Sequence, residues 1–180
     1  MRIIAGKYKR RTLHSVPGNT ARPTTDYLKE TIFNIIPDCE GVAFLDLYAG
    51  SGSIGLEALS RGADWAVFVE FSHKSIATII SNIDALGCRD QCRLLRKKVL
   101  PFLRKCEDKF DIIFLDPPYD KNLVNVTIAE IIQNDLLREG GCIVVEHSTR
   151  EKIAPECAEY ILQIKKTRQS QVSILTIKDR

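Results

Sequence analysis

The residues best suited to chemistry stand at the end of an apolar run, in the segment FLDPPY at 114–119. A proline disfavours helical geometry in the residue before it, so Asp116 is expected to extend from a strand tip. Because Pro117 and Pro118 have no N–H, this loop offers carboxylate and carbonyl acceptors without competing donors, and Tyr119 adds a flat ring. The motif predicts a site that grips an exocyclic amino group of a planar base through Asp116 and the Pro117 carbonyl. A DPP sequence alone would also suit a rigid turn.

A glycine-rich loop precedes this motif. Residues 50–55 (GSGSIG) match GxGxxG between a predicted strand and a predicted helix, where glycines let the backbone approach a ligand. Glu70 ends the next predicted strand, 20 residues after Gly50, where a carboxylate binds the hydroxyls of an adenosine ribose. Asp46, before the loop, would repel a pyrophosphate but suits a cation such as a sulfonium. The loop therefore predicts an adenosine-containing cofactor and favours S-adenosylmethionine over NAD.

Apolar runs and turn residues divide the rest of the chain into alternating strands and helices. Strands are predicted at 42–47, 65–70, 92–96, 110–115 and 142–146, and helices at 53–61, 73–86, 99–107 and 122–137. Two more strands, at 158–166 and 171–178, are predicted to pair antiparallel. The pattern predicts a Rossmann-like α/β fold with a seven-stranded, mostly parallel sheet and helices on both faces. Its strand ends bring residues 47–55, 70–72 and 116–119 to one crevice.

Positive charge is concentrated at the N-terminus. The net charge is only +3, but seven basic groups face two acidic ones within residues 1–30. A small β-hairpin and a helix are predicted at 1–37, as an extension of a domain at 38–180. A basic arm on a near-neutral body suggests contact with a polyanion, although a solvated segment could have the same composition. The basic residues are Arg2, Lys7, Lys9, Arg10, Arg11, Arg22 and Lys29.

Composition limits the alternatives. With 180 residues, 44% hydrophobic and 27% charged, the chain has the make-up of a folded domain rather than a disordered one. No apolar run is long enough to cross a bilayer, and the N-terminus turns basic too early for a signal peptide. The six cysteines form no CxxC, and Cys88, Cys92 and Cys106 with His73 match no recognised zinc spacing. We therefore expect free thiols, a cytoplasmic location and no metal.

Four segments together are similar to one known family. They are MRIIAGKYKRR (1–11), ARPTTDYLKETIFNII (21–36), FLDLYAGSGSIGLEALSRGA (44–63) and FLDPPY (114–119). They resemble the bacterial 16S rRNA guanine-N2 methyltransferase family of the small ribosomal subunit, the RsmD family, within the class I S-adenosylmethionine-dependent methyltransferases. The resemblance implies methylation of one 16S rRNA guanine on an assembled or partly assembled 30S subunit. We expect the enzyme to act as a monomer.

The resemblance also implies roles for individual residues. The cofactor would be held by Asp46, Tyr48, Ala49, Gly50, Ser51, Gly52, Glu70 and Phe71. The guanine amine would be held by Asp116, Pro117, Pro118 and Tyr119. RNA would contact Arg22, Pro23, Thr24 and the basic residues of the hairpin at 1–13. Where the family usually has an Asp or Asn for the adenine amine, this chain has Lys97-Lys98-Val99, so backbone groups near Lys98 and Val99 are expected to substitute.

Three other functions stay open at this point. DPPY is also shared with DNA enzymes that methylate adenine N6 or cytosine N4, although 180 residues leave little room for a separate target-recognition domain. The lysine pair at 97–98 is compatible with a catalytically silent, RNA-binding assembly factor that keeps the fold. An NAD oxidoreductase agrees least with Asp46.

Overall fold

The structure is a computed structural model that describes residues 1–18, 25–118, 121–167 and 170–177. The predicted site residues Arg22, Pro23, Thr24 and Tyr119 lie outside these ranges. Within them, the helices are α1 (Asp26–Ile35), α2 (Ser53–Ser60), α3 (His73–Leu86), α4 (Val99–Leu103), α5 (Leu123–Gln133) and α6 (Pro155–Ala158). The strands are β1 (Ala43–Leu47), β2 (Trp65–Glu70), β3 (Cys92–Arg96), β4 (Phe110–Leu115), β5 (Leu137–His147), β6 (Ile161–Lys166) and β7 (Gln171–Leu175).

The strands form a seven-stranded sheet in the order β3-β2-β1-β4-β5-β7-β6. Strands β1 to β5 are parallel, and β7 runs antiparallel between β5 and β6. The predicted mostly parallel sheet and its antiparallel pair are confirmed. Chain order reverses at β1, which lies between β2 and β4. Ligands in such sheets bind beyond the carboxyl ends of the strands at this switch point.

Two apolar layers cover the two faces of the sheet, as expected for buried parallel strands. One layer packs Phe44 and Phe68 against α1, α2 and α3, together with Ile3 and Leu13 of the N-terminal segment. The other layer packs the intervening strand residues, Leu45 among them, against α4, α5 and α6. Alternate residues of each strand therefore point to opposite layers, and this parity decides which face of the sheet each strand-end side chain occupies.

Two predicted helices are too long, and one predicted strand is too short. Helix α4 ends at Leu103 rather than 107, and α5 ends at Gln133 rather than 137. Asp135 has a φ of 52°, which turns the chain. Leu137 then pairs with Phe110, so β5 begins before the predicted start at 142. Leu137 is part of the apolar pattern that predicted a longer helix, but in the structure it pairs with β4. At the C-terminal side, β6 begins at Ile161 rather than 158, because α6 occupies the preceding residues.

The N-terminal segment, residues 1–14, folds back on itself and packs against α2. Arg2 and Thr12 form an antiparallel bridge, as the predicted hairpin requires. At its turn, the N–H of Lys7 donates to the Ser60 carbonyl at 2.7 Å. Gly6 has a φ of +78°, and a Cβ there would lie 1.6 Å from the Ser60 carbonyl oxygen. Only glycine fits at this close approach.

A buried ionic cluster, here called the docking cluster (Lys29, Glu57 and Arg61), fastens this segment. The Glu57 carboxylate accepts the N–H groups of Ile4 at 2.8 Å and Ala5 at 3.0 Å. It also lies 3.0 Å from the Arg61 guanidinium and 3.6 Å from the Lys29 ammonium, and both Lys29 and Glu57 are fully buried. Burial lowers the pKa of Lys29, and the charge of Glu57 opposes that shift.

The cysteines, the possible metal ligands and the helices of the described residues bear on the expectations from composition. All six cysteines are free thiols. Within 1–18, 25–118, 121–167 and 170–177, no group of three or more His, Cys, Asp or Glu side chains is arranged to hold a metal ion. In the same ranges, none of the helices has both the length and the apolar character that crossing a membrane requires.

Candidate active site

The glycine loop joins β1 to α2 through a series of left-handed residues. Tyr48, Gly50 and Gly52 have φ values of 58°, 58° and 77°. The N–H of Gly52 donates to the Ala49 carbonyl at 2.7 Å, which closes the turn. Gly55 lies where a Cβ would come within 2.4 Å of the Phe68 ring, so it permits α2 to pack closely on β2. The three glycines of the motif thus serve the turn and the helix packing.

Glu70 joins the glycine loop to the end of β2. Its Oε2 accepts the N–H of Gly50 at 2.9 Å, and its Oε1 accepts the N–H groups of Phe71 and Ser72, each at 2.7 Å. A carboxylate has about four acceptor positions. Oε2 therefore keeps capacity for one further donor, such as a ligand hydroxyl, while the backbone holds the carboxylate in a fixed orientation.

A cavity of about 250 Å³ opens beside Glu70 at the carboxyl ends of β1, β2 and β3. Its walls are largely apolar, and the Lys98 ammonium lies 5.5 Å from the centre of the Phe71 ring. An apolar slot with a carboxylate at its edge fits the flat base and the ribose of an adenosine. The cavity is lined by Tyr48, Val69, Glu70, Phe71, Lys97, Lys98, Val99, Leu100, Pro101 and Leu123.

Asp46 lies beneath the loop rather than in this cavity. Its side chain is 1% exposed, and its Oδ2 accepts the N–H of Gly55 at 2.9 Å. Burial raises its pKa to about 8, the hydrogen bond from Gly55 opposes the rise, and the negative charge of Glu70 adds to it. The contacts seen for Asp46 therefore fix the start of α2. Its predicted effect on a cation would act across the loop and not by direct contact within the cavity.

Asp116 and Pro117 follow β4, directly beside the end of β1. The pairing of Leu47 with Leu115 places Asp116 just beyond the last paired residues of the two strands. Pro117 is buried and Pro118 is exposed. By strand parity, Asp116 points to the same face of the sheet as Asp46. Burial raises the pKa of Asp116 well above its ordinary value, and the nearby charges of Glu146 and Asp46 raise it further.

Glu146, near the end of β5, completes a cluster here called the active-site acids (Asp46, Asp116 and Glu146). Glu146 is 6% exposed, and its charge and a side-chain hydrogen bond to it raise the pKa of Asp116. The Ser170 hydroxyl donates to Glu146 Oε1 at 2.9 Å. Three strand ends therefore bring three carboxyl groups to one edge of the sheet, next to the cavity at Glu70. Such clusters of acids with raised pKa values are typical of functional sites.

Comparison with known proteins assigns the chain to a family. The family model described as "Conserved hypothetical protein 95" matches residues 1–178. A Haemophilus influenzae protein named "Ribosomal RNA small subunit methyltransferase D" is 36% identical over 161 residues, covering 87% of this chain and 83% of that protein. YlbH of Bacillus subtilis is 39% identical over 171 residues, covering 93% of each chain.

The chain belongs to this family, that of ribosomal RNA small subunit methyltransferase D.

A solved structure confirms the fold expected of the family. The yhhF protein of Escherichia coli is 32% identical, with a TM-score of 0.84 over 97% of this chain and 96% of that one. The family predicted from the four sequence segments and the Rossmann-like fold are both confirmed.

The predicted cofactor residues fall into two groups. Tyr48, Glu70, Phe71, Lys98 and Val99 line the cavity. The other predicted residues, Asp46, Ala49, Gly50, Ser51 and Gly52, form the loop beside it or support that loop.

Sequence reasoning missed two polar side chains of this region, Glu146 and Asn82. Glu146 ends the predicted strand CIVVE, and a carboxylate at a strand end was the signal that could have marked it. Asn82 is fully buried on α3. Its amide donates to the carbonyls of Ser51 at 2.9 Å and His14 at 3.1 Å, and its Oδ1 accepts the His14 N–H at 2.7 Å. One side chain therefore joins the N-terminal segment to the glycine loop.

The basic residues of the N-terminal segment differ in how they are held. Arg2 forms an ion pair with Asp26 at 2.8 Å, and Lys7 donates to Gln91 at 2.7 Å. Arg11 donates to the Ala85 carbonyl. The exposed side chains of Lys9 and Arg10 have no hydrogen bond or ion pair with the part of the chain that the structure describes. These two are the most available of the described candidates for contact with a polyanion.

Proposed function

We propose that this chain transfers a methyl group from S-adenosylmethionine to the exocyclic N2 of one guanine of 16S rRNA. The substrate is the rRNA of an assembled or partly assembled 30S subunit in the cytoplasm, and the enzyme acts as a monomer. One observation carries the proposal: Asp116 and Pro117 follow β4 next to the end of β1, at the same end of the sheet as the apolar cavity at Glu70. The name of the Haemophilus influenzae relative supports the rRNA of the small subunit as substrate.

The methyl donor fits the residues at the ends of β1, β2 and β3. Glu70 would accept a hydroxyl of the ribose, and Phe71 and Val99 would flank the adenine. When bound, S-adenosylmethionine supplies an electrophilic methyl group on a positively charged sulfur. That positive charge would lower the raised pKa values of the active-site acids and favour their ionised forms, because opposite charges stabilise each other strongly in a buried site.

Asp116 and the Pro117 carbonyl would act on the guanine. The lone pair of a nucleobase amine is delocalised into the ring, which makes the nitrogen a weak nucleophile. Hydrogen bonds from its two N–H groups to Asp116 and the Pro117 carbonyl would hold the nitrogen with its lone pair directed at the methyl group. Positioning of this kind lowers a barrier by up to about 7–11 kcal/mol. Pro118, like Pro117, has no N–H to compete for these acceptors, and Tyr119 is proposed to cover the face of the base.

The N-terminal segment would bind the phosphates of the RNA. Lys9 and Arg10 are exposed, and Arg2, Lys7 and Arg11 lie in the same short segment. Phosphate contacts by such side chains orient a nucleic acid without reading its sequence. Arg22, Pro23 and Thr24 are proposed to contact the RNA near the mouth of the site.

A methyl-transfer assay with labelled S-adenosylmethionine tests the proposal. The substrates are undermodified 30S subunits, naked 16S rRNA and duplex DNA. We expect label in 16S rRNA or the 30S subunit, found by nucleoside mass spectrometry as N2-methylguanosine, and none in DNA. Label in DNA alone would favour an amino-methyltransferase of DNA. Tight binding of the cofactor by calorimetry, with no label in any RNA, would contradict the proposed reaction.

A further inference from the structure

Glu146 lies where it can act on the reaction through Asp116. The pairing of Leu115 with Val145 in the parallel strands β4 and β5 places Asp116 next to Glu146, one step further along each strand. Residues 114 and 144 both face the layer of α1, α2 and α3, so the side chains at 116 and 146 point to that same face. Neighbouring positions on one face bring the two carboxyl groups within reach of a hydrogen bond, and such a bond is among the causes that raise the pKa of Asp116.

A hydrogen bond between two carboxyl groups requires a proton on one of them. Each ionised carboxylate is only an acceptor, so the pair holds together when it carries one proton and one negative charge. Asp46 from β1 and Glu146 from β5 are the charged groups that raise the pKa of Asp116 in addition to its burial, and Glu70 acts in turn on Asp46. The Ser170 hydroxyl donates a hydrogen bond to Glu146 and so orients it.

His147, the next residue of β5, is directed elsewhere. Its Nε2 lies 2.8 Å from the Ser173 hydroxyl, and its Nδ1 lies 2.7 Å from the Glu151 carbonyl. It therefore points away from Asp116, to the other side of the sheet.

We propose that Glu146 is a positioning residue that shares a proton with Asp116, fixes Asp116 as an acceptor for the substrate amine and enables the pair to take up the proton that this amine loses. The inference rests on the proposed function. As the amine nitrogen bonds to the methyl carbon, the bond from that carbon to the donor sulfur would break and its electron pair would stay on sulfur, which becomes a neutral thioether. One N–H bond of the amine also breaks, and the electron pair of that bond stays on nitrogen. The proton passes to the singly charged pair, which becomes neutral and later releases the proton to water. The nitrogen ends as a neutral secondary amine.

Carbon-13 NMR of the side-chain carboxyl groups tests the shared proton directly in the free enzyme. Protein labelled at the aspartate and glutamate carboxyl carbons is titrated, and the two resonances are assigned by their absence in Asp116→Asn and Glu146→Gln. In the wild type we expect Asp116 to lose its proton well above the ordinary range. In Glu146→Gln that step should move down by more than about one pH unit, because the adjacent like charge is gone.

A second variant gives a shift in the opposite direction. Ser170→Ala removes a donor from ionised Glu146, so the pair should lose its last proton at a higher pH than in the wild type. Glu139→Gln is the matched control, because Glu139 lies on the same strand but is exposed at its other end. It should leave both resonances unchanged. A loosened fold would not move the step down in one variant and up in the other. An Asp116 titration that is unaffected by Glu146→Gln would overturn the proposal.

Single-turnover methyl transfer at saturating RNA and cofactor then tests the role in the reaction. We expect Glu146→Gln to lower the rate roughly 10-fold to 100-fold and to change its pH profile, with Glu139→Gln equal to the wild type. An unchanged rate and pH profile in Glu146→Gln would overturn the role in catalysis even if the proton is shared. If the wild-type protein itself transfers no methyl group to RNA, the proposed function fails, and the NMR titrations still decide whether the two carboxyl groups share a proton.

Discussion

The acids of two side-chain clusters in this molecule have opposite electrostatic surroundings. In the docking cluster, Glu57 faces the cations of Lys29 and Arg61 and accepts two backbone N–H groups. At the active-site end, burial and the charges of other acids raise the pKa of Asp116 and Asp46, and no cation of the described residues is among the groups that oppose this rise. A buried acid that is paired with cations, as Glu57 is, can hold one part of a protein against another. A group of acids that raise each other's pKa values is suited to receive positive charge or a proton from a ligand.

The largest effect is expected from Asp116→Asn. An amide in place of the carboxylate presents a donor to the substrate amine and cannot take its proton. The single-turnover rate of methyl transfer should fall about 10²-fold to 10⁴-fold, while S-adenosylmethionine affinity by calorimetry should change little. Asp108→Asn, in an exposed ion pair with Arg93, is the control and should behave as the wild type. Equal losses of cofactor binding and transfer would mean that the loop at 116–118 is structural.

Glu57→Gln removes the only negative charge of the docking cluster. It leaves the Lys29 ammonium buried without its counter-charge, which typically lowers the free energy of unfolding by about 3–5 kcal/mol. Urea unfolding followed by Trp65 fluorescence measures the loss. Asp84→Asn makes the same change of a carboxylate to an amide in an exposed pair with Arg89 and should have a small effect. If the two variants were equally stable, the docking cluster would not fasten the N-terminal segment.

Asp46→Asn changes how the free energy of unfolding depends on pH. The pKa of Asp46 is about 8 in the folded protein and 3.8 ordinarily. Between these values the native state holds a proton that the unfolded chain has released, so this group makes stability fall as pH rises. The slope is at most about 1.4 kcal/mol per pH unit. Unfolding free energies at pH 5.5, 6.5 and 7.5 should fall less steeply in the variant, and identical slopes would count against a protonated Asp46.

Phe71→Ala removes one exposed wall of the cavity without touching either cluster. We expect the dissociation constant for S-adenosylmethionine to rise roughly 10-fold, through loss of contact with a flat ligand. Tyr27→Ala is the control, because Tyr27 is also an exposed aromatic side chain but does not line the cavity. Calorimetry that shows the same affinity for both variants would place the adenosine elsewhere.

Lys9→Gln should give the smallest effect. If Lys9 neutralises one phosphate, affinity for 16S rRNA should fall a few-fold, and the slope of log K against log salt should shrink by about 1. Lys105→Gln, an exposed lysine after α4, should leave the slope unchanged. Equal slopes for Lys9→Gln and the wild type would remove Lys9 from the RNA contact.

Local sequence predicted those parts of the fold that local interactions decide. The structure reproduces the predicted bounds of β2, α3, β3 and β4, because each is an apolar run or an amphipathic helix that ends in turn residues. The predicted boundary between α5 and β5 was wrong. Leu136 and Leu137 continue a helical apolar pattern, and only pairing with Phe110, which is distant in sequence, assigns Leu137 to the sheet.

The same distinction holds for the site. Glu70 and Asp116 follow strands and carry recognisable motifs, so their place at one edge of the sheet could be predicted. The position of Glu146 next to Asp116 follows only from the strand order, which places β5 beside β4. Asn82 joins His14 to Ser51 across three elements. No local pattern indicates contacts that depend on how separate elements pack.

The most direct test of the proposed reaction is nucleoside mass spectrometry of 16S rRNA from cells that lack this protein. We expect one N2-methylguanosine to be missing, restored by the wild-type gene and not by Asp116→Asn. An unchanged set of 16S rRNA modifications, or full restoration by Asp116→Asn, would contradict it.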